Sequence, residues 1–170
     1  MAAAEPRGRS GVVRAAAFAI QGWALVGGAV LLAVVAVNVL SVLGGIFTRP
    51  FPGDFELSEM GVAVAAFAFL PYCQLTGANV TADIFTARAG PRTIAAFELL
   101  GSVVALLFSL LLLWRMTLGM LDQRTYGYTT AILQVPIWWA YATTLISLAL
   151  LAAASALTLA GGVRAIRAHA

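Results

Sequence analysis

The sequence predicts an all-α membrane protein with four transmembrane helices. Of its 170 residues, 62% are hydrophobic and 10% are charged, and the mean hydropathy is +0.95, so the chain lacks the polar surface that a soluble domain of this size needs. Charges are absent from Ala15 to Thr48 and from Thr125 to Val163. A helix crosses a bilayer core of about 30 Å with about 20 apolar residues, so each of these runs is long enough to span.

Four spans are predicted within one membrane domain, at residues 23–47, 55–75, 92–121 and 132–160. Residues 1–22 are predicted to form a cytoplasmic tail with an interfacial lead-in, because Gly22 and the pair Gly27 and Gly28 are candidate breaks in a long apolar run. A signal peptide is the competing interpretation, since arginines precede the run. The run is longer than the usual apolar region of about 7–15 residues.

The second span has a well-marked start and a proline near its end. Pro52 and Gly53 predict a turn, Asp54 is expected to be the N-cap, and the acids that follow favour the helix dipole. Pro71 removes one backbone hydrogen bond and is expected to bend the helix. Pro91 suits the first position of the third helix.

The fourth span opens with Trp138, Trp139 and Tyr141, residue types that concentrate at headgroup depth. The arginines are divided unequally between the two sides of the membrane. Seven lie in the two tails and the middle loop and three lie on the other side, which predicts cytoplasmic N- and C-termini. The seven are Arg7, Arg9, Arg14, Arg88, Arg92, Arg164 and Arg167.

Neither a catalytic site nor a transport site is apparent. The acids from Asp54 onward all fall near a predicted span end, whereas a self-sufficient coupled carrier usually holds an acid near mid-membrane. Cys73 and His169 are single residues of their kinds, so no haem pair, metal cage, cofactor site or activated nucleophile is expected. The net charge of +3 comes from arginine in short segments, which suits lipid headgroups better than nucleic acid.

Residues 50–83 carry a family resemblance. They contain P-F-P-G-D-F-E-L-S-E, then F-L-P-Y, then G-x-x-V-x-x-D, and V-P-I-W-W opens the fourth span. In this order, the motifs resemble the small, Q-type (DctQ-like) membrane subunit of tripartite ATP-independent periplasmic (TRAP) transporters. Gly44 and Asn79 depart from the pattern, since similar sequences often carry an arginine and a histidine there.

The resemblance implies a non-enzymatic subunit of the bacterial inner membrane. It would scaffold a large M-type permease subunit for sodium-coupled uptake of an organic acid delivered by a periplasmic solute-binding protein. Two sets of charged residues are candidates for these contacts. Contact with the large subunit is expected for Glu56, Glu59, Asp83 and Arg115, and docking of the binding protein for Asp54, Asp122 and Arg124.

Several of these roles have simpler alternatives. Glu56 and Glu59 share a helical face and either only stabilise the helix start or, more readily for Glu59, meet a basic residue of a partner. Arg115 either snorkels to the headgroups or forms an inter-subunit ion pair. Asp83 is also suited to cap a short helical turn.

Two other functions remain open at this point. One is the small four-helix subunit of a tricarboxylate-type tripartite transporter, and the other is the membrane anchor of a redox complex.

Small residues four apart favour close helix packing and hence a scaffold. They occur at Ala24 and Gly28, Gly61 and Ala65, and Ala149 and Ala153.

Overall fold

The computed structural model describes residues 11–47, 49–77 and 91–168, and they form four helices. These are α1 (Gly11–Phe47), α2 (Asp54–Thr76), α3 (Pro91–Tyr126) and α4 (Trp138–Ala168). Each contains a segment long and apolar enough to cross a membrane. The predicted all-α fold with four candidate spans is therefore confirmed.

The helices differ in length. They contain 37, 23, 36 and 31 residues in chain order, or about 55, 34, 54 and 46 Å at 1.5 Å per residue. Only α2 is close to the thickness of a bilayer core, which is about 30 Å. The other three helices continue well beyond the hydrocarbon at one end or both, or cross it at a tilt.

The helices are arranged as a row in the order α1, α2, α4, α3. The central helices α2 and α4 pack against each other, α1 packs against the outer side of α2, and α3 packs against the outer side of α4. α1 reaches α4 only slightly. Because a row has two broad faces, few side chains are buried, and the buried apolar ones among the described residues are Ile20, Ala65, Ala68, Leu148 and Ala154.

The contact between α1 and α2 depends on two glycines. A Cβ at Gly61 would lie 2.3 Å from Cγ2 of Val34, and a Cβ at Gly27 would lie 2.7 Å from Cβ of Ala68. Both distances are far below carbon–carbon contact, so only glycine allows this approach of the two backbones.

The small-residue motifs contribute unequally to packing. Gly61 and the buried Ala65 lie on α2 in its packed part. In α1, Gly27 makes the close contact, while an added Cβ at Gly28 would meet no atom of the described residues within 4 Å. The third motif does not pack, since Ala149 and Ala153 are exposed.

The predicted break in the first apolar run is wrong. α1 is helical without interruption through Gly22, Gly27 and Gly28. Glycine keeps its backbone hydrogen bonds in a helix, and Gly27 serves the contact with α2. Since Gly27 lies opposite Ala68 in antiparallel helices, the residues before about position 19 project beyond the end of α2, so the predicted lead-in is part of the same helix.

A glycine caps each end of α2. Asp54 is not the N-cap that the sequence suggested: the cap is Gly53, at φ 79°, and it has no side-chain cap bond. Gly53 is buried, and a Cβ there would lie 2.4 Å from Cγ of Leu133. At the other end, α2 continues past the buried Pro71 to Thr76, and the N–H of Gly77, at φ 68°, donates to the carbonyl oxygen of Cys73.

Two side-chain hydrogen bonds fasten α1 and α2 to α4. Trp23 Nε1 in α1 donates to Ser147 Oγ over 2.8 Å, and Gln74 Nε2 in α2 donates to Thr158 Oγ1 over 3.2 Å. Ser147 and Gln74 are buried. With α1 and α3 antiparallel to α2 and α4, the first and last described residues lie at the same end of the row.

Candidate partner-binding surface

The loop end of the row is where α1 and α3 end and α2 and α4 begin. It comprises the turn before Asp54 and the α3–α4 loop, residues 127–137. The opposite end, where α2 and α4 finish, is called the terminal end. All three docking candidates, Asp54, Asp122 and Arg124, lie at the loop end.

The α3–α4 loop has a defined internal structure. Thr129 and Pro136 form an antiparallel bridge, the Thr130 N–H donates to the Val135 carbonyl over 3.0 Å, and the Ile137 N–H donates to the Tyr128 carbonyl over 3.1 Å. Thr130 Oγ1 also accepts the Val135 N–H over 3.1 Å. These bonds pair backbone groups on the two sides of the loop and hold its shape.

Glu56 attaches this loop to α2. One of its carboxylate oxygens accepts the Ile132 N–H over 2.7 Å and the other accepts the Leu133 N–H over 3.0 Å. Leu133 packs over Gly53, one turn before Glu56. Both oxygens of Glu56 thus serve an internal contact, and the carboxylate holds the loop against the start of α2.

Asp54 lies beside a second polar cluster that joins α1 to α2. Its Oδ2 accepts a hydrogen bond from the hydroxyl of the buried Ser41, and its Oδ1 accepts the Phe55 N–H over 2.8 Å. Asn38 Nδ2 donates to Ser58 Oγ over 2.6 Å, and Ser58 Oγ donates to the Asp54 carbonyl over 2.7 Å. The Asp54 side chain is therefore directed toward α1.

The remaining charged candidates are exposed. Glu59, Arg115 and Asp122 are each exposed, and no hydrogen bond or ion pair engages them within the described part of the chain. Arg124 is also exposed, and its guanidinium carbon lies 5.7 Å from the centroid of the Trp138 ring, a cation–π contact. Asp83 lies outside the described residues.

Arg115 is the deepest of these charges. It is about 16 Å from the end of α3 at 1.5 Å per residue, on the exposed side of the helix. A side chain at that depth reaches headgroup water only by extending along the helix, or else meets an acid of another chain.

Large apolar side chains cover both edges of the row. In α1, for example, Phe18 is 79%, Leu25 76% and Leu32 72% exposed, and in α3 Leu107 is 63% and Trp114 61% exposed. Membrane lipid or another membrane protein must cover these surfaces.

An apolar groove runs between α1 and the start of α4, with α2 as its floor. It measures about 320 Å³ and is lined by residues that include Val30, Val37, Met60, Val64 and Trp139. It lies on the loop side of the Trp23–Ser147 hydrogen bond. Its lining is apolar, so it suits lipid or a helix rather than a polar solute.

The arrangement defines a class of protein. It is a multi-pass membrane subunit whose charged residues in the described helices, apart from Arg115, lie toward helix ends, and whose polar contacts join helices to one another. Among the described residues, no group of three or more acidic, histidine or cysteine side chains is placed to hold a metal ion. Such a chain is suited to assembling with other proteins.

The family comparison names the assembly. The family model for the DctQ component of tripartite ATP-independent periplasmic transporters matches residues 31–165, well over half of the chain. The chain therefore belongs to this family and is the small membrane component of a TRAP transporter, a multi-pass protein of the bacterial inner membrane and not an enzyme. No curated protein and no solved structure matches it.

Sequence reasoning missed the two contacts that fix the loop end. The sequence predicts that Glu56 stabilises the helix dipole or contacts a partner, whereas the backbone N–H groups that donate to its carboxylate lie in the loop before α4. The packing of Leu133 on Gly53 was likewise not expected. Neither leaves a local signal, because the partners are distant in sequence. The Pro52–Gly53 pair indicated only that a turn occurs.

Proposed function

We propose that this chain is a brace for the large M-type permease subunit of a TRAP transporter that takes up an organic acid with sodium. Family membership supplies the transporter class. The observation that carries the bracing role is the open row of helices, whose apolar edges are left uncovered by the described residues. A subunit built this way gains most of its packing from a neighbour.

Glu59 and Arg115 are the charged residues we assign to contact with the large subunit. Both are exposed and uncommitted within the described residues, whereas the carboxylate of Glu56 is already bonded to the α3–α4 loop. An ion pair formed in the low-dielectric membrane interface orients a partner more strongly than one in water. Asp83 remains a proposed contact on the strength of its motif alone.

We place both termini in the cytoplasm and the loop end on the periplasmic side. The terminal end carries Arg14, Arg92, Arg164 and Arg167 in its helices, against Arg49 and Arg124 at the loop end and Arg115 within α3. Excess arginine marks the cytoplasmic side. With this orientation, the exposed Asp122 and Arg124 face the periplasm, where the solute-binding protein docks, and Asp54 supports that surface through Ser41.

Orientation can be tested by labelling single cysteines in intact spheroplasts. In a Cys73→Ser background, a cysteine placed at the exposed Thr129 is expected to react with an impermeant maleimide. A cysteine placed at Arg14 is expected to react only after the membrane is opened. Labelling of the second site, and not the first, in intact spheroplasts would reverse the proposed topology.

The bracing role can be tested by reconstitution. The large subunit, the binding protein and this chain are placed in liposomes with a sodium gradient, and uptake of candidate organic acids is measured with and without this chain. Uptake is expected to require it. Glu59→Gln is expected to weaken co-purification with the large subunit, with the exposed Asp122→Asn as the matched control.

A second variant distinguishes docking of the binding protein from bracing of the large subunit. Reversing Asp122 to arginine is expected to lower binding-protein-dependent uptake while co-purification with the large subunit is unchanged. Undiminished uptake in this variant would remove the docking role and leave the bracing role standing. Accumulation of solute by this chain alone would overturn the proposal as a whole.

A further inference from the structure

A cleft at the terminal end separates α2 from α3. The two helices pack on opposite sides of α4, so a space of about 770 Å³ remains between the end of α2 and the first half of α3. Gln74, Thr76 and Thr158 border it on α2 and α4. Among the described residues, nothing lies within 4 Å of a Cβ added at Gly101, on the α3 wall.

The α3 wall of the cleft is a continuous apolar stripe. Phe97, Leu100, Val104 and Phe108 lie along one face of the helix at spacings of three and four residues, and they are 55%, 58%, 56% and 57% exposed. The stripe extends for about 16 Å at 1.5 Å per residue. A long, narrow apolar surface of this kind is the shape that an extended acyl chain covers.

The terminal end also carries positive charge. The backbone of Arg92 lies in the first turn of α3, ahead of Phe97, and that of Arg164 follows Gly162 in the last turns of α4. Phe97 and Gly162 themselves line the cleft. Arg14 and Arg167 lie at the same end, and Glu98 is the acid among these turns. Basic residues beside an apolar cleft at headgroup depth complement an anionic headgroup above an acyl chain.

From this combination we infer that the cleft is a binding site for one anionic phospholipid. The acyl chain lies on the α3 stripe, and the phosphate lies at the terminal end near the backbone positions of Arg92 and Arg164. The lipid fills the space between α2 and α3 and connects these two helices, which both pack against α4. The site is separate from the loop end, so it does not depend on the proposed docking role.

The test is lipid binding by the purified full-length chain, measured by native mass spectrometry. Phosphatidylglycerol and phosphatidylcholine with the same acyl chains are added in parallel titrations. Each arginine near an anionic headgroup raises affinity about fivefold, so the two arginines are expected to make phosphatidylglycerol bind about twenty-five-fold more tightly. Equal binding of the two lipids would overturn the inference.

Matched variants locate the site on α3. Val104→Trp fills the cleft and is expected to lower phosphatidylglycerol affinity on the order of tenfold. Leu107→Trp, at a slightly more exposed position outside the cleft, is expected to have no effect. Both positions face away from the core, so neither change should prevent folding. Equal affinity in the two variants would overturn the inference.

Further experiments test the role of the lipid headgroup and the identity of the molecule in the cleft. Arg164→Gln is expected to weaken phosphatidylglycerol binding about fivefold and to leave phosphatidylcholine unchanged, with Arg14→Gln as the control at the same end. Glycerol 3-phosphate is expected not to compete, and competition would indicate a soluble phosphate site instead. Release of the lipid when the large subunit is added would assign the cleft to a protein helix and refute the inference.

Discussion

The contact of Gly61 with Val34 makes a sharp prediction about how α1 and α2 are held together. In Gly61→Ala, the added methyl group would lie 2.3 Å from Cγ2 of Val34, whereas carbon atoms pack best at about 3.5–4.0 Å. Rotation of Val34 offers little relief, because a β-branched side chain in a helix is confined to one main rotamer. The helices must therefore separate by more than 1 Å or tolerate strain.

The magnitude follows from comparison with a glycine that has free space. Overpacking of this kind costs about 1–3 kcal/mol, and replacing a helical glycine by alanine returns about 1 kcal/mol. Gly28→Ala receives the same propensity gain without a clash, since nothing lies within 4 Å of its added Cβ. The difference in free energy of unfolding between the two variants is therefore expected to be about 1–3 kcal/mol.

The assay is reversible unfolding of the full-length chain by sodium dodecyl sulfate in mixed micelles, followed by circular dichroism. Val34→Ala removes the methyl group that clashes, so the double variant Gly61→Ala/Val34→Ala should recover stability relative to the sum of the two single variants. Equal stability of Gly61→Ala and Gly28→Ala, or no recovery in the double variant, would refute the reasoning.

Two further predictions concern the polar contacts. Glu56→Gln keeps one acceptor oxygen but turns an amide group toward the second loop N–H, so amide hydrogen exchange in the α3–α4 loop should become faster. Glu59→Gln should leave this exchange unchanged. Equal exchange rates in both variants would contradict the attachment of the loop by Glu56. Trp23→Phe removes the donor to Ser147 and should lower the free energy of unfolding by about 0.5–1 kcal/mol, whereas the exposed Trp114 should tolerate the same change.

The sequence locates the start of α2 at the loop end but does not show what each acid there does. The Pro-Gly turn and the acids after it marked a helix start at the edge of the membrane, and the helix does start at Asp54. The sequence could not separate the roles of the acids. Glu56 bonds to the loop and Glu59 does not, although both lie on the same apolar helix near its start.

The same limit explains the small-residue motifs. Gly27 and Gly28 are neighbours of the same type, yet only Gly27 faces α2. In a soluble helix the apolar stripe would show which side packs. In α1 nearly every side is apolar, because the surrounding solvent is lipid, so periodicity does not distinguish the packed face from the lipid face.

The four spans and the family membership were within reach of the sequence alone, because crossing a bilayer requires a long uncharged stretch and that property is local to each segment. Only the tertiary structure decided the order of the helices in the row, the attachment of the α3–α4 loop by Glu56, and the cleft between α2 and α3. Each depends on which side of a uniformly apolar helix meets a neighbour distant in sequence, and that is set by close packing and by a few buried hydrogen bonds.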